Sequence, residues 1–174
     1  RWRNDQLIMD TETFERQRTN EWYQLSTHND IGQAGNFKNP ETDDSQWTDF
    51  KVPGYWSKAG KAENGVFWFR REIQISATEA GKPAFLNMGR IVDADSVFVN
   101  GDFVGNVTYQ YPPRWYNVPA GVLVEGRNVL VVRVVSNSGS GGFVPEKPYV
   151  LALGNRNISL EGTWKMKKGC EMPP

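Results

Sequence analysis

The sequence predicts an all-β fold, a β-sandwich with jelly-roll or Greek-key connections that is preceded by a short helical segment. From residue 47 onward, apolar and polar residues alternate with a period of two, and glycine or Asn-Gly turns interrupt them repeatedly. Immunoglobulin-type connections are not expected, because the chain has a single cysteine and so lacks the Cys–Trp–Cys pattern. We therefore divide the chain into an N-terminal helical segment and linker (1–40), a sandwich (41–160), and a C-terminal strand and linker (161–174).

A helical period is confined to residues 10–35. Asp10 or Thr11 is placed to cap the start of this helix. A polar linker, residues 36–45, follows it. The apolar positions near one helix face are Phe14, Trp22 and Leu25, and the glycines that should end the helix are Gly32 and Gly35.

The first clear strand covers residues 67–75. Phe67 and Phe69 lie on one face, whereas Trp68 and Arg70 lie on the other, which is typical of a half-buried antiparallel strand. The other predicted strands are 84–88, 96–99, 103–104 with 106–107, 115–118, 128–135, 149–153, 158–160 and 163–166.

Two features of these strands predict their surroundings. Asn100-Gly101 predicts a type I′ hairpin, since both central residues of that turn need a positive φ. Residues 129–135 are apolar on both faces except at Arg133, so this strand should be covered on both sides.

Composition excludes some classes of partner. Twenty basic and twenty acidic residues cancel, and a nucleic-acid or anionic-membrane partner usually requires a basic excess. We expect neither partner, and no apolar run approaches the roughly 18 residues of a membrane helix. The chain starts without a methionine or signal peptide, so we expect a piece of a longer polypeptide; a processed mature protein is the alternative.

The sequence gives little support for nucleophilic catalysis by this chain. His28, the only histidine, sits near the end of the predicted helix, where a cation is favoured by the helix dipole. No Gly-x-Ser-x-Gly elbow accompanies it. The run 138–142 resembles a phosphate loop only superficially, because it lacks Gly-Lys-Ser/Thr and a following helix. We expect a flexible loop there.

Paired carboxylates are the second catalytic possibility, since glycosidases work with two. Asp93 and Asp95 are two apart and share a face, so they could meet a partner or a Ca²⁺. The remaining oxygen ligands are not supplied at a recognisable spacing. The other carboxylates considered are Asp43, Asp44 and Glu63. We expect no cofactor and no catalytic residue in this chain.

An aromatic cluster is the most informative surface feature. Two prolines interrupt it and prevent pairing as a central strand, so some rings should emerge at one end of the sandwich. Sugars stack their C–H faces on such rings, but burial of the rings in the core is the competing interpretation. The cluster contains Tyr109, Tyr111, Trp115 and Tyr116, with Pro112, Pro113 and Arg114 among them.

Four segments together resemble the sugar-binding jelly-roll domain that begins β-galactosidases and β-glucuronidases. They are Val-Pro-Gly-Tyr-Trp at 52–56, Gly-Val-Phe-Trp-Phe-Arg-Arg at 65–71, and the segments 94–101 and 126–133. A galactose-binding-like sandwich over about residues 45–137 is what this resemblance implies.

The C-terminal third carries a narrower resemblance. Residues 141–149, 158–165 and 169–174 resemble the galactose-binding-like domain inserted in bacterial sialate O-acetylesterases, whose hydrolase domain is of the SGNH type. The resemblance implies a periplasmic or secreted parent that removes O-acetyl esters from sialic acids or acetylated glycans. This chain would shape or cap the substrate cleft, with the parent's own SGNH domain as its partner.

The catalytic blocks of that family do not occur here. Gly32-Gln33-Ala34 lacks the serine of Gly-Gln-Ser-Asn, and Leu25 stands where Asp-x-x-His would place the aspartate before His28. Two alternatives stay open, an independent carbohydrate-binding module and the sugar-binding domain of a β-galactosidase or β-glucuronidase. The substrate-binding residues we expect are Tyr109, Tyr111, Arg114, Trp115, Asn137, Phe143, Lys147 and Tyr149.

Overall fold

The structure, a computed structural model, describes residues 2–57 and 62–174 and confirms the β-sandwich with a helix before it. Its two helices are α1 (Trp2–Asn29) and α2 (Ile31–Ala34). Its strands are β1 (Thr48–Val52), β2 (Gly54–Tyr55), β3 (Asn64–Ile75), β4 (Ala84–Met88), β5 (Ile91–Val92), β6 (Ala94–Val99), β7 (Asp102–Val107), β8 (Trp115–Val118), β9 (Gly126–Ser136), β10 (Gly142–Phe143), β11 (Tyr149–Leu153), β12 (Arg156–Ser159) and β13 (Gly162–Met172).

The strands form three antiparallel sheets. A six-stranded sheet has the order β1-β13-β3-β9-β6-β7, a four-stranded sheet has the order β12-β11-β4-β8, and a short three-stranded sheet has the order β2-β10-β5. The long strands β3 and β9 are neighbours near the middle of the six-stranded sheet. Segment 161–174, expected as a C-terminal strand and linker, contributes β13 between β1 and β3, so it is built into the sandwich.

The main core lies between the six-stranded and four-stranded sheets. Leu86 of β4, Val97 of β6 and Leu151 of β11 are fully buried there. Phe143 lies among other rings, with its centroid 4.9 Å from that of Phe69 in an edge-to-face arrangement. Full burial of such side chains stabilises the fold by roughly 1.5–3 kcal/mol each, so this core is the main source of stability.

A second, smaller core covers the outer face of the six-stranded sheet. Phe37 and Trp47, from the segment after α2, pack there with Trp68 of β3 and Val131 of β9. This cover confirms that β9 is buried on both faces. For β3 the expectation of a half-buried strand is confirmed at residues 72–75, where exposed and buried side chains alternate, but it is wrong at residues 67–70, which are all buried.

Arg70 explains how a charged side chain can occupy that covered face. Its Nε donates to Asp44 Oδ2 at 3.1 Å, and its two Nη groups donate to four carbonyl oxygens at 2.8–3.2 Å. The guanidinium therefore fastens the linker of residues 36–45 onto the sheet. The four carbonyl oxygens belong to Phe37, Asn39, Pro40 and Thr42.

The helix differs from its prediction. It is 28 residues long and already formed from Trp2, so neither Asp10 nor Thr11 caps it. Asp10 instead accepts a hydrogen bond from the Gln6 side chain one turn earlier, which supports an uninterrupted helix. The apolar face predicted from Phe14 and Leu25 is wrong, because both side chains are exposed.

A separate turn follows α1. Asp30 caps α2, and its side chain accepts the Gly32 N–H at 2.8 Å. Gly35 closes α2, which confirms the predicted end of the helical region. His28 lies in the last turn of α1, as expected. Within the described ranges, neither helix combines the length and the apolar character that a bilayer crossing requires.

Several strands are confirmed with the bounds predicted, namely β4, β8 and β11. Asn100 and Gly101 have φ values of 51° and 86°, as the predicted type I′ hairpin requires. The three strands of the short sheet were not predicted. One of them, β10, includes Gly142 from the run expected to be a flexible loop; a Cβ there would lie 2.4 Å from the Gly54 carbonyl oxygen.

We predict that Arg70→Met lowers the free energy of unfolding by about 3 kcal/mol, because four carbonyl oxygens and one carboxylate lose their donor. Limited proteolysis should then cut faster within residues 36–45. Urea denaturation measures the first effect. Lys165→Met, which removes an exposed pair with Asp49, is the control and should cost less than about 1 kcal/mol. Equal stability of the two variants would contradict this role of Arg70.

Candidate functional site

A surface at one end of the sandwich carries the predicted rings, and we call it the aromatic end. It consists of Arg90, Tyr109, Tyr111, Trp115 and Lys147. The two tyrosines lie on the loop between β7 and β8, and Trp115 begins β8. Their exposures are 58% for Tyr109, 69% for Tyr111 and 62% for Trp115. Three large exposed rings this close together in sequence make the segment a candidate for contact with a ligand.

Backbone hydrogen bonds hold the end of this loop against the four-stranded sheet. The Arg114 N–H donates to the Gly89 carbonyl at 2.9 Å, and the Met88 N–H donates to the Arg114 carbonyl at 2.9 Å. Trp115 pairs in register with Asn87 on β4. Trp115 therefore projects from a segment with a fixed backbone.

A buried ion pair lies beneath the loop. Arg114 Nε donates to Asp95 Oδ1 at 2.6 Å, and both side chains are completely buried. The Tyr116 hydroxyl donates to the other Asp95 oxygen. Since Asp95 belongs to β6 of the six-stranded sheet and Arg114 precedes β8 of the four-stranded sheet, this group joins the two sheets.

Two further hydrogen bonds occupy the remaining nitrogens of the Arg114 guanidinium. Its Nη1 donates to the Pro112 carbonyl and its Nη2 to the Asp93 carbonyl, both at 2.7 Å. Burial raises the pKa of Asp95, while Arg114 and Tyr116 oppose that rise. Burial and then the Asp95 carboxylate raise the pKa of Tyr116, so its hydroxyl stays a donor. This hydrogen-bond network fixes the position of the loop end beneath the rings.

Two cations border the rings. The Arg90 guanidinium lies 5.5 Å from the centroid of the Tyr111 ring, and its Nε donates to the Gln110 carbonyl at 3.1 Å. Lys147 lies beside Gly89, where its Cβ would be 2.9 Å from an added side chain. Neither cation forms an ion pair with the part of the chain that the structure describes. Their donors suit hydroxyl or carboxylate oxygens.

The other predicted site residues lie elsewhere. Arg114, Phe143 and Tyr149 are buried, so none of them offers a surface to a ligand in this structure. Tyr149 supports the aromatic end from below, because its hydroxyl lies 3.1 Å from the Arg90 carbonyl oxygen. Asn137 is exposed but lines a different groove beside Trp22. Arg90 was missed, since a single arginine after Gly89 has no distinctive sequence pattern.

The candidate catalytic groups are engaged in structural contacts. Asp93 Oδ2 accepts hydrogen bonds from Ser136 Oγ at 2.8 Å and from the Asn137 N–H at 3.2 Å. Asp44 binds Arg70. Asp43 accepts the Ser45 N–H at 2.9 Å, which lowers the pKa of this carboxyl. Over residues 2–57 and 62–174, no group of three or more His, Cys, Asp or Glu side chains is placed to hold a metal ion.

Comparison with known proteins places this fold. Residues 66–128 match the galactose-binding domain family of β-galactosidases. A candidate β-glucuronidase of Formosa agariphila is 25% identical over 133 residues, covering 69% of this chain and 13% of that protein. The fold is therefore that of the galactose-binding domains of glycoside hydrolases.

Solved structures agree with this assignment of the fold. β-Glucuronidase 2 of Bacteroides uniformis superposes with a TM-score of 0.55 at 19% identity, over 74% of this chain and 15% of that one. A glycosyl hydrolase family 2 member from Bacteroides cellulosilyticus gives 0.53 at 22% identity, over 75% and 18%. Ruminococcus gnavus β-glucuronidase gives 0.53 at 17% identity, over 78% and 25%.

These relatives discriminate between the two family resemblances that the sequence showed. The chain spans 13% of the curated relative and 15–25% of the three solved chains, so it matches one part of much longer proteins. The relatives are β-glucuronidases and a family 2 glycosyl hydrolase, so they support the β-galactosidase and β-glucuronidase alternative. They do not support the sialate O-acetylesterase parent.

We predict that Arg114→Met lowers the free energy of unfolding by about 3–5 kcal/mol, because it leaves the Asp95 carboxylate buried without its cation. Adding Asp95→Leu should recover at least half of that loss, since the unpaired charge is then gone. Chemical denaturation measures both variants. Arg156→Met, which removes a pair with Glu79 near the surface, is the control and should change the stability little, because solvent screens that pair. A double variant as unstable as the single variant would contradict the account.

Proposed function

We propose that this chain is a non-catalytic carbohydrate-binding domain of a larger glycoside hydrolase and that it binds glycan at the aromatic end. The observation that carries the proposal is three exposed rings, Tyr109, Tyr111 and Trp115, on a loop fixed by a buried ion pair. Exposed rings of this size are costly to leave in water unless they meet a ligand or a partner surface.

The chemistry of the aromatic end suits a sugar. Each ring can stack against the apolar C–H face of a pyranose, while the Arg90 and Lys147 donors can bind its hydroxyl or carboxylate oxygens. Because backbone hydrogen bonds already fix the end of the loop at Arg114, little conformational entropy would be lost there on binding.

The larger protein would then be a glycoside hydrolase, with its acid and base on sequence outside this chain. Support comes from the relatives, which are β-glucuronidases or members of glycosyl hydrolase family 2. Galactose-containing and glucuronic-acid-containing glycans are accordingly the ligands to test first.

One observation favours a second candidate, the domain inserted in a sialate O-acetylesterase with an SGNH partner domain. Trp22 Nε1 of α1 donates to the Pro173 carbonyl at 2.8 Å, so the helix and the end of the last strand lie side by side. Adjacent entry and exit segments are what an inserted domain requires. Sequencing the parent gene decides between the candidates: a Gly-Gln-Ser-Asn block before this region supports the esterase, and a following immunoglobulin-like domain supports the glycoside hydrolase.

We predict that the isolated chain binds galactose-containing or glucuronic-acid-containing oligosaccharides, and that Trp115→Ala or Tyr111→Ala weakens binding at least about tenfold, equivalent to about 1.4 kcal/mol. Isothermal titration calorimetry measures the affinity. Phe103→Ala is the matched control, because Phe103 on β7 is 58% exposed but lies outside the aromatic end. Equal losses in all three variants, or no heat with either glycan type, would refute the assignment.

A further inference from the structure

A cavity of about 530 Å³ lies between α1 and the outer face of the six-stranded sheet. We call it the helix cavity. Asn20, Tyr23 and Gln24 of α1 line one side, and Ser96 of β6 and Asn106 of β7 line the other. Its volume lies within the roughly 300–1,000 Å³ typical of small-molecule sites, so it can hold a ligand of monosaccharide size.

The polar side chains that line the helix cavity are free to bind a ligand. Over residues 2–57 and 62–174, the side chains of Asn20, Gln24, Ser96, Asn106 and Thr108 take part in no recorded hydrogen bond. Each is an amide or a hydroxyl, which can both donate and accept. Such groups can replace bound water by ligand hydroxyls without breaking a contact within the protein.

Arg133 of β9 adds a cation to the lining of the helix cavity. Its Nε donates to Asp30 Oδ2 at 2.8 Å, and its guanidinium carbon lies 5.9 Å from the centroid of the Trp68 ring. Its Nη2 is buried and has no hydrogen-bond partner among the described residues. A buried donor without a partner is unfavourable, and an acceptor oxygen at this atom would satisfy it.

The nearby carboxylates are already saturated. Asp30 accepts hydrogen bonds from the Gly32 N–H and from Trp68 Nε1 as well as from Arg133. Asp95 borders the cavity, yet its carboxylate binds Arg114 and Tyr116 in the main core. The helix cavity therefore offers donors and neutral groups.

Tyr23 adds a further donor on the helix side. Burial raises the pKa of its hydroxyl, and the Asp93 carboxylate raises it further. The hydroxyl is therefore protonated near neutral pH and can donate to a ligand oxygen. The Tyr23 hydroxyl and the Arg133 guanidinium are both donors, which suits a ligand that presents acceptor oxygens.

We propose that the helix cavity binds a small hydroxylated carboxylate of the sugar-acid class. Arg133 and Tyr23 hold the carboxylate, and the amides and hydroxyls of Asn20, Gln24 and Asn106 hold the sugar hydroxyls. This site is separate from the aromatic end, so the two assignments stand or fall independently.

The test is calorimetry of the full chain with sodium glucuronate and, as the uncharged counterpart, glucose. Glucuronate should bind at least about tenfold more tightly than glucose. Arg133→Gln should abolish that preference. Ser96→Leu should block binding of both sugars by filling the cavity while leaving the Arg133–Asp30 pair intact. Ser159→Leu, on a strand of the opposite sheet, is the matched control and should bind as the unaltered chain does.

The aromatic-end variants separate this proposal from the proposed function. In Ser96→Leu, a galactose-containing oligosaccharide should still bind, and adding Trp115→Ala should still weaken that binding. Glucuronate affinity equal to that of glucose, no binding by the unaltered chain, or unchanged binding in Ser96→Leu would each overturn the proposal. If Arg133→Gln does not fold, Ser96→Leu against Ser159→Leu decides the question alone.

Discussion

The buried contact between Arg114 and Asp95 is the constraint on which the aromatic end depends. It joins a strand of one sheet to the loop that enters a strand of the other, and the Tyr116 hydroxyl occupies the second carboxylate oxygen. A buried charge pair of this kind adds little net stability, but it is costly to break from one side. Its effect here is geometric, because it fixes where the loop leaves the sandwich.

On the opposite face of the six-stranded sheet, Asp30 is the carboxylate that joins separate parts of the chain. It caps α2, accepts from Trp68 of β3 and pairs with Arg133 of β9. One carboxylate thereby connects the helical region to the two central strands. The helix cavity forms where the end of α1 leaves the sheet partly uncovered, beside the Arg133 guanidinium that Asp30 orients.

Much of the fold was predictable because short strands with clear alternation and turn residues obey local rules. The strands β4, β8 and β11 were predicted with their observed bounds, and Asn100-Gly101 gave the hairpin. The cover over Trp68 and Arg70 was not predictable. It comes from residues 36–47, and a pattern within one strand does not report what packs on it.

The candidate site was predictable only in part for the same reason. Residue type identified the rings, but Tyr111 and Trp115 became surface groups while Phe143 and Tyr149 became core. An aromatic side chain serves both roles equally well, and the three-dimensional neighbours decide between them. The two-residue strands β2, β5 and β10 are too short to show any period.

Side-chain indole NMR during titration with a galactose-containing or glucuronic-acid-containing oligosaccharide tests glycan recognition at the aromatic end most directly. The Trp115 indole signal should shift progressively and saturate, whereas the signals of the buried Trp68 and Trp164 should stay in place. A titration in which Trp115 does not respond, or in which all indole signals move together, would contradict the account.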